Sequence, residues 1–149
     1  MKSVLEKFIY AYICVSVMLS LTGTQPVYAA GFTAATAAEL IAAINTANSN
    51  GQNDTITLTN DIVLTEVNAA FGGDNGLPLI DADGGYSLTI DGAGYSISRS
   101  SAGGTPEFRL LYIKAGASVT LQNLTFSYGI SGSPGGAIIN AGTLTVKNS

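Results

Sequence analysis

Hydrophobic and polar residues alternate one by one in four short segments of the chain. The segments TITLT, SLTID, SVTLQ and TLTVK begin at Thr55, Ser87, Ser118 and Thr143. In each, small hydroxyl residues take one side and aliphatic residues the other, and a period of two is the signature of a β-strand. The segments recur at intervals of 25 to 32 residues. This recurrence indicates a repeated structural unit.

A second apolar element precedes three of these segments. It ends at Ile80, Ile113 or Ile139, and a short turn (DADGGY, KAGA or NAG) joins it to the longer strand. One such unit cannot bury its own apolar face, whereas stacked units share a continuous apolar column with strands about 4.8 Å apart. The pattern therefore predicts an all-β fold, specifically a parallel β-helix. An antiparallel β-sandwich alternates equally well, but its strands recur every 8 to 12 residues or so.

The segment before the repeats has a helical pattern instead. In TAAELIAAINTANSNG, Thr36 can cap a helix, Glu39 completes a capping box and Gly51 provides a stop. Apolar residues follow at helical spacing, so a helix is predicted over about 36–50. An amphipathic helix laid across the open end of a stack would protect it, and residues 30–54 are interpreted as this N-terminal cap. A helix on the side of the stack is the alternative. The C-terminal end is expected to be uncapped.

The first residues resemble an export signal. A short basic start is followed by an uncharged apolar run over residues 8–21, which is shorter than the approximately 20 residues that a membrane span needs. Small side chains before position 30 predict cleavage between Ala29 and Ala30, with residues 1–29 as the signal peptide. An uncleaved membrane anchor is the alternative. The protein is thus expected to be exported, either secreted or at the cell surface, with membrane contact only through this segment or missing downstream regions.

Composition supports a turn-rich exported domain. Charged residues make up 11% of the chain, against about 25% in an ordinary domain. The net charge of −4 disfavours nucleic acid as a partner. The only cysteine, Cys14, lies in the signal segment, so no disulfide is expected after export. Residues 55–149 are assigned to the first three to four units of the β-helix, a truncated part of a longer protein.

Candidate catalytic chemistry is sparse. The chain contains no histidine, the commonest general base and metal ligand, and its glycine-rich stretches lack the lysine of a P-loop. No catalytic residue can therefore be assigned, no cofactor is expected, and a non-enzymatic role is favoured.

Three aspartates are weak candidates for calcium ligands. Asp81, Asp83 and Asp91 lie close together in sequence, and DADGG resembles part of a calcium loop, whose oxygen ligands alternate around a glycine turn. The segment lacks the distal glutamate of an EF-hand. A solvated turn favoured by aspartate and glycine is the alternative interpretation.

Tyrosines and asparagines supply further candidates. Tyr95 and Tyr128 fall in loops or at strand ends and are weak candidates for stacking against sugar rings. Tyr112 lies within an apolar strand and is interpreted as core or lateral stacking. Arg109 alternates with apolar neighbours and is expected to point outward from its strand. The asparagines that end or follow strands are expected to hydrogen-bond between turns; these are Asn123, Asn140 and Asn148.

The ordered set of motifs resembles a known class of proteins. AELIAAINTAN, NDTITLTNDIVLT, GLPLI, LTIDGAGYSIS, FRLLYI, SVTLQNLTF and GGAIINAGTLTVKNS, in this order, resemble the N-terminal portion of bacterial secreted right-handed parallel β-helix proteins. GGAI at 135–138 is also similar to the repeat of the polymorphic outer membrane proteins of the autotransporter class. This resemblance implies a right-handed solenoid on a large exported or surface-anchored protein, in many cases adhesin-like and in others polysaccharide-degrading.

These observations lead to one expected function and two alternatives. The expected function is an exported surface scaffold or adhesin-like passenger, with cell-surface glycans or proteins as partners and the outer membrane as its location in an autotransporter-like protein. The first alternative is the N-terminal part of a polysaccharide lyase or hydrolase of pectate-lyase-like fold, with its active site beyond residue 149. The second alternative is a non-functional truncation product.

Overall fold

The computed structural model describes residues 29–132 and 134–149. Within them the chain forms one helix and twelve strands. In chain order these are β1 (Ala30–Ala34), α1 (Ala37–Ala47), β2 (Asp54–Leu58), β3 (Ile62–Leu64), β4 (Ala69–Ala70), β5 (Asp74–Asn75), β6 (Ser87–Asp91), β7 (Ser96–Arg99), β8 (Leu111–Ile113), β9 (Ser118–Gln122), β10 (Thr125–Ser127), β11 (Ile138–Asn140) and β12 (Thr143–Lys147). The all-β class with a single helix is confirmed.

Five strands form the largest sheet, in the order β1-β2-β6-β9-β12, and every neighbouring pair in it is parallel. Its strands alternate buried aliphatic and more exposed hydroxyl residues because successive side chains of a strand point to opposite faces. The four segments with alternating hydrophobicity are the last four strands of this sheet. The sequence pattern therefore located its strands correctly.

Two smaller parallel sheets accompany it. One has the order β10-β7-β3, and the other pairs β11 with β8 and is extended by a parallel bridge between Ile80 and Ile113. Along the chain each sheet is revisited in turn: β2 is followed by β3, β6 by β7 and β9 by β10. The short hairpin of β4 and β5 is antiparallel and projects from the connection between β3 and Ile80.

The sheet β10-β7-β3 was missed in the sequence. Its strands have only three or four residues each. Each holds only one or two inward aliphatic or aromatic residues, such as Ile97 opposite Phe126. A segment of three or four residues is too short for the alternation of a strand to be distinguished from the irregular pattern of a loop. Each unit thus contains three strand segments instead of two.

The registers differ from the sequence alignment at two places. Thr55 lies opposite Thr89 instead of Ser87, a shift of two residues that keeps the same side chains facing inward. In the shorter sheet Ile139 lies opposite Tyr112, and Asn140 lies opposite Ile113. This one-residue difference turns Ile138, not Ile139, toward the buried Leu111.

Helix α1 begins as its sequence predicts. Thr36 accepts a hydrogen bond from the Glu39 backbone N–H at 3.3 Å, and the Glu39 carboxylate accepts from the Thr36 N–H at 3.2 Å, so the capping box is present. The helix ends at Ala47, earlier than the predicted 50. Its buried face consists of Leu40, Ala43, Ile44 and Ala47, and it packs against β1, β2 and β3.

Strand β1, which precedes it, was not predicted because Ala30–Ala34 has too few bulky residues.

The buried core is built from the inward residues of all three sheets. It consists of aliphatic side chains and Phe108, contributed by the parallel strands from β1 to β9, by helix α1 and by the connections between them. Glycine makes the close approach between units possible: a Cβ on Gly142 would collide with the backbone carbonyl oxygens of Ala117 and Lys114. Gly135, which lies before β11, has a φ of 85°, a conformation that favours glycine.

Substitution of the N-cap provides a first test. In T36A the capping hydrogen bond is lost, and we expect the free energy of unfolding to fall by about 1 kcal/mol. The matched control is T46A, because Thr46 is exposed within the same helix and donates only to the Ala42 carbonyl. Alanine is the better helix former there, so T46A should be neutral or stabilising by a few tenths of a kcal/mol. Urea unfolding followed by circular dichroism measures both. Equal losses in the two variants would contradict the capping assignment.

Candidate functional site

Arg109 is the centre of a polar cluster that joins three distant parts of the chain. Its side chain is fully buried. Nη1 donates to the Asn75 side-chain oxygen at 3.3 Å, and Nη2 donates to the Gly72 carbonyl at 2.9 Å and to the Ser131 hydroxyl at 3.1 Å. Arg109 was expected to point outward from its strand, but its side chain is completely enclosed. Two loops cover it, which the sequence pattern could not show.

The hydrogen-bond acceptors around the Arg109 guanidinium are neutral groups. No carboxylate of residues 29–132 and 134–149 forms a salt bridge with it, and its buried Nε has no hydrogen-bond partner there. The guanidinium carbon lies 5.9 Å from the centroid of the Tyr112 ring, whose negative face attracts a cation. Burial of an unpaired ion costs several kcal/mol, so these neutral contacts must offset that cost.

Asn75 links Arg109 to the β4–β5 hairpin. The amide is fully buried, and its Nδ2 lies within hydrogen-bond distance of the carbonyl oxygens of Ala69, Phe71 and Gly73, at 3.0, 3.2 and 2.9 Å. The hairpin thus folds around this one side chain, whose oxygen faces the guanidinium. Asn75 was not singled out in the sequence, because an Asn-Gly step in a loop is an ordinary turn signal.

Two aromatic side chains meet beside the arginine. Phe71 is 50% exposed, and its ring meets that of Tyr112 edge-on at 5.2 Å between centroids. We call Phe71 and Tyr112 the aromatic patch. The interpretation of Tyr112 as lateral stacking agrees with this contact. Chemically, the patch offers ring faces and contact area, with no nucleophile and base held side by side.

The three candidate calcium ligands have separate local partners. Asp81 forms an ion pair with Lys114, and the Asp83 carboxylate accepts hydrogen bonds from the backbone N–H groups of Gly51 and Gln52 at 2.7 and 3.3 Å. Asp91 lies at a different corner. In the part of the chain that the structure describes, no group of three or more acidic, histidine or cysteine residues is placed to hold a metal ion. The arrangement fits hydrogen-bonded turns better than a calcium site.

Asp91 organises the corner that follows the largest sheet. Its carboxylate accepts from the Ala93 N–H at 2.9 Å, from Gln122 Nε2 at 2.9 Å and from Asn123 Nδ2 at 3.1 Å. These bonds stabilise the ionised form, led by the backbone N–H, and lower the pKa of Asp91 below its ordinary value.

The corner is repeated by an asparagine pair in the next unit. Asn148 Nδ2 donates to the Asn123 side-chain oxygen at 3.3 Å, and both residues have φ near 50°. The predicted hydrogen bonding between turns is confirmed for these two residues. Asn140 instead accepts a bond from the nearby Gly142 N–H at 3.0 Å.

The two candidate sugar-stacking tyrosines lie apart. Tyr95 precedes β7 and Tyr128 follows β10, so the parallel register of the two strands places them at opposite ends. Tyr128 is 66% exposed and is held by a hydrogen bond of 2.9 Å from Arg99 Nε to its backbone carbonyl. They do not form one strip, but each presents a ring at the surface.

A cleft of about 180 Å³ lies between the start of α1 and the loop after β3. Glu66 is its one ionisable lining residue; the others are Ala37, Ala38, Ile41, Leu64, Thr65, Val67, Asn68 and Gly76. A cleft with a single carboxylate among its lining residues has no partner group for acid–base chemistry.

The predicted signal peptide covers residues 1–29, of which 1–28 lie outside the described residues. Ala29 itself is exposed, and Ala30 is the first residue of β1. In the described part of the chain no helix combines the length and apolar character required to cross a membrane.

Comparison with protein-family models, with curated proteins and with solved structures finds no match for this chain.

The buried arginine can be tested against a half-buried one. R109K keeps the charge but cannot reach three acceptors at once, so we expect the free energy of unfolding to fall by about 2 to 4 kcal/mol. R99K is the control, because Arg99 is half-buried and donates to the carbonyls of Tyr128, Thr105 and Pro106. We expect it to cost less than about 1 kcal/mol. Denaturant unfolding measures both variants. Equal losses of unfolding free energy in R109K and R99K would contradict the larger structural role assigned to Arg109.

Asp91 predicts a dependence of stability on acid. A carboxyl whose pKa is lowered on folding binds a proton less readily in the folded than in the unfolded chain. Its contribution is therefore present above the ordinary pKa of 3.8 and is lost as the pH falls through the lower folded value. We expect D91N to be less stable than wild type near pH 7 and to lose less stability on acidification. Parallel stability curves for the two proteins between pH 6 and pH 2 would contradict this.

Proposed function

We propose that this chain forms the helix-capped first units of a right-handed parallel β-helix, and that it acts as an exported scaffold of the adhesin-like kind. In this proposal the three parallel sheets are the three faces of one solenoid. Its side loops carry the contact surfaces, and cell-surface glycans or proteins are the partners. The outer membrane is the location expected for an autotransporter-like protein.

The order of the strands supports the β-helix. The chain visits the largest sheet, the sheet β10-β7-β3 and the Ile80-β8-β11 positions in the same cyclic order in successive units. All neighbours within each of these sheets are parallel, and parallel crossover connections are right-handed in about 98% of cases. Thr57, Asp91, Gln122 and Lys147 fall in one row across the largest sheet, as stacked units require.

The single observation that carries the proposal is a step in burial at the last strand. Val119 and Leu121 in β9 are 2% and 1% exposed, whereas Val146, which lies opposite Leu121 in β12, is 54% exposed. The alternation of the two strands is the same, so the difference comes from what lies beyond them. At the other end α1 buries the corresponding surface. A stack capped at one end and open at the other explains both facts.

The scaffold role is supported by where sequence length varies. The connections from β3 to Ile80, from β7 to β8 and from β10 to β11 differ in length, while the sheets keep their register. These loops present Phe71, Tyr128 and Ile130 at the surface. Exposed rings on loops held by a rigid frame are typical of binding proteins, and a net charge of −4 disfavours nucleic acid as the ligand.

Insertion of a peptide tests the scaffold. A flexible ten-residue tag between Gly103 and Gly104 enters an exposed loop, and we expect the melting temperature to change by less than about 5 °C. The same tag between Ala115 and Gly116 is the control, because this tight turn joins β8 to β9 and Gly116 has a φ of 87°. Cooperative unfolding should be lost there. Equal tolerance at both sites, measured by thermal melting, would contradict stacked units.

The binding role has its own experiment. The exported chain, checked by mass spectrometry for an N-terminus at Ala30, is applied to a glycan array together with the double variant F71A/Y128A. We expect retention of the wild type and at least a tenfold loss in the variant, because both rings are exposed. Absence of retention at high concentration would remove sugar recognition, while the insertion experiment would still decide the fold.

A further inference from the structure

The chain contains two Asn-Gly steps. They are Asn50–Gly51, in the turn between α1 and β2, and Asn75–Gly76, at the end of β5. Asparagine is a chemically labile residue, and it deamidates most readily before glycine, because glycine has no side chain to hinder attack by its backbone nitrogen on the asparagine amide. The two steps differ in what restrains that nitrogen.

Deamidation needs only base and water. A base removes the proton from the glycine N–H, and the nitrogen attacks Cγ of the asparagine. The new N–Cγ bond closes a succinimide ring, while the Cγ–Nδ2 bond breaks and ammonia leaves. Water then opens the ring at either carbonyl and gives aspartate or isoaspartate. A glycine N–H that donates a hydrogen bond must first be released, so the rate follows how often the turn opens.

The Asn75–Gly76 step is restrained by the parallel pairing of the backbone. Asn75 forms a parallel bridge with Arg109, and the Gly76 N–H donates to the Arg109 backbone carbonyl at 2.8 Å. The Asn75 side chain is fully buried. Release of this nitrogen requires two core segments to separate, so the step is protected as long as the chain is folded.

The Asn50–Gly51 step is restrained by one side chain from a distant turn. The Gly51 N–H donates to Asp83 Oδ2 at 2.7 Å, and the Gln52 N–H donates to the same oxygen at 3.3 Å. Asp83 lies 32 residues after Gly51, in the turn before β6. A hydrogen bond to a carboxylate is stronger than one to a neutral oxygen. Asp83 therefore holds the nitrogen that would attack.

The amide that would be attacked is held as well. Asn50 Oδ1 accepts from the Gln52 N–H at 3.0 Å, and Nδ2 donates to Asp54 Oδ1 at 2.9 Å. Asp54 is only 3% exposed. Conversion of Asn50 to aspartate removes this donor and sets a second carboxylate beside a buried one, and both changes cost free energy.

We propose that Asn50 is a modification site whose deamidation is suppressed by the Asp83 hydrogen bond, and that its conversion weakens the turn between α1 and β2. Because ammonia leaves, the change accumulates over the life of the protein. The site is independent of the proposed function, since every contact that defines it lies within the described residues.

Deamidation of the full exported chain is followed by peptide mass spectrometry at mildly alkaline pH. In D83A the Gly51 N–H loses its acceptor, and we expect the rate at Asn50 to rise about tenfold or more over wild type. D81A is the matched control, because Asp81 lies in the same turn but its side chain pairs with Lys114. We expect D81A to change the rate by less than about twofold.

Asn75 is an internal standard in the same digest. Its restraint does not involve Asp83, so its rate should stay at the wild-type value in D83A, whereas general unfolding of the variant would accelerate both steps. Equal acceleration at Asn50 and Asn75 would overturn the proposal, as would equal rates at Asn50 in D83A and D81A. A folded wild-type chain that deamidates at Asn50 as fast as the same chain in urea would also overturn it.

The effect of the modification is tested with N50D, which places the product carboxylate beside Asp54. We expect its urea midpoint to fall below that of the wild type. N140D is the control, because the exposed Asn140 accepts a hydrogen bond from the Gly142 N–H, which a carboxylate also does. Its midpoint should stay close to the wild-type value. Equal midpoints in N50D and N140D would contradict the destabilisation assigned to the converted residue.

Discussion

Parallel pairing of successive units is the constraint on which the rest of this structure depends. Each strand of the largest sheet must place aliphatic residues on the inward side and pair its backbone with the unit before it. A slip of one residue would turn the threonines inward and expose the whole aliphatic set. A slip of two is tolerated, and the opposition of Thr55 to Thr89 is such a case. The low charge follows from the same constraint, because threonine and serine solvate the outer face without repulsion between stacked rows.

The predictable features of the fold were those with a signal in neighbouring residues. The strands of the largest sheet alternate over five residues, and Thr36 and Glu39 form the capping box that their spacing indicates. The strands of three or four residues could not be recognised, because too few positions repeat. Whether Ile138 or Ile139 faces inward was also beyond the sequence, because the two adjacent isoleucines are the same residue type and only their pairing with β8 distinguishes them.

The candidate site was predictable only in part, for a different reason. The exposed rings and the asparagine pair follow from local sequence, but the partners of Arg109 lie 22 to 37 residues away. Their meeting depends on how two loops fold back over one strand. A guanidinium suits this position because its planar donors can reach oxygens on several sides, whereas an ammonium is a compact charge. The arginine thereby orders loops whose own sequences, rich in glycine and serine, specify little structure.

The two ends of the largest sheet are unequal, and this follows from nearest-neighbour stability. In a stack each unit is stabilised mainly by the units above and below, so the first and last depend on what replaces the missing neighbour. In the proposed stack, helix α1 provides that replacement at β1 with its buried apolar face. In β12 the alternating aliphatic residues that pack beside β9 are the same type that would pack beside a further parallel strand. A strand with this pattern therefore pairs equally well on both edges, unless a charged residue or a proline interrupts it. Lys147, at the end of the strand, leaves the pattern of Leu144 and Val146 uninterrupted.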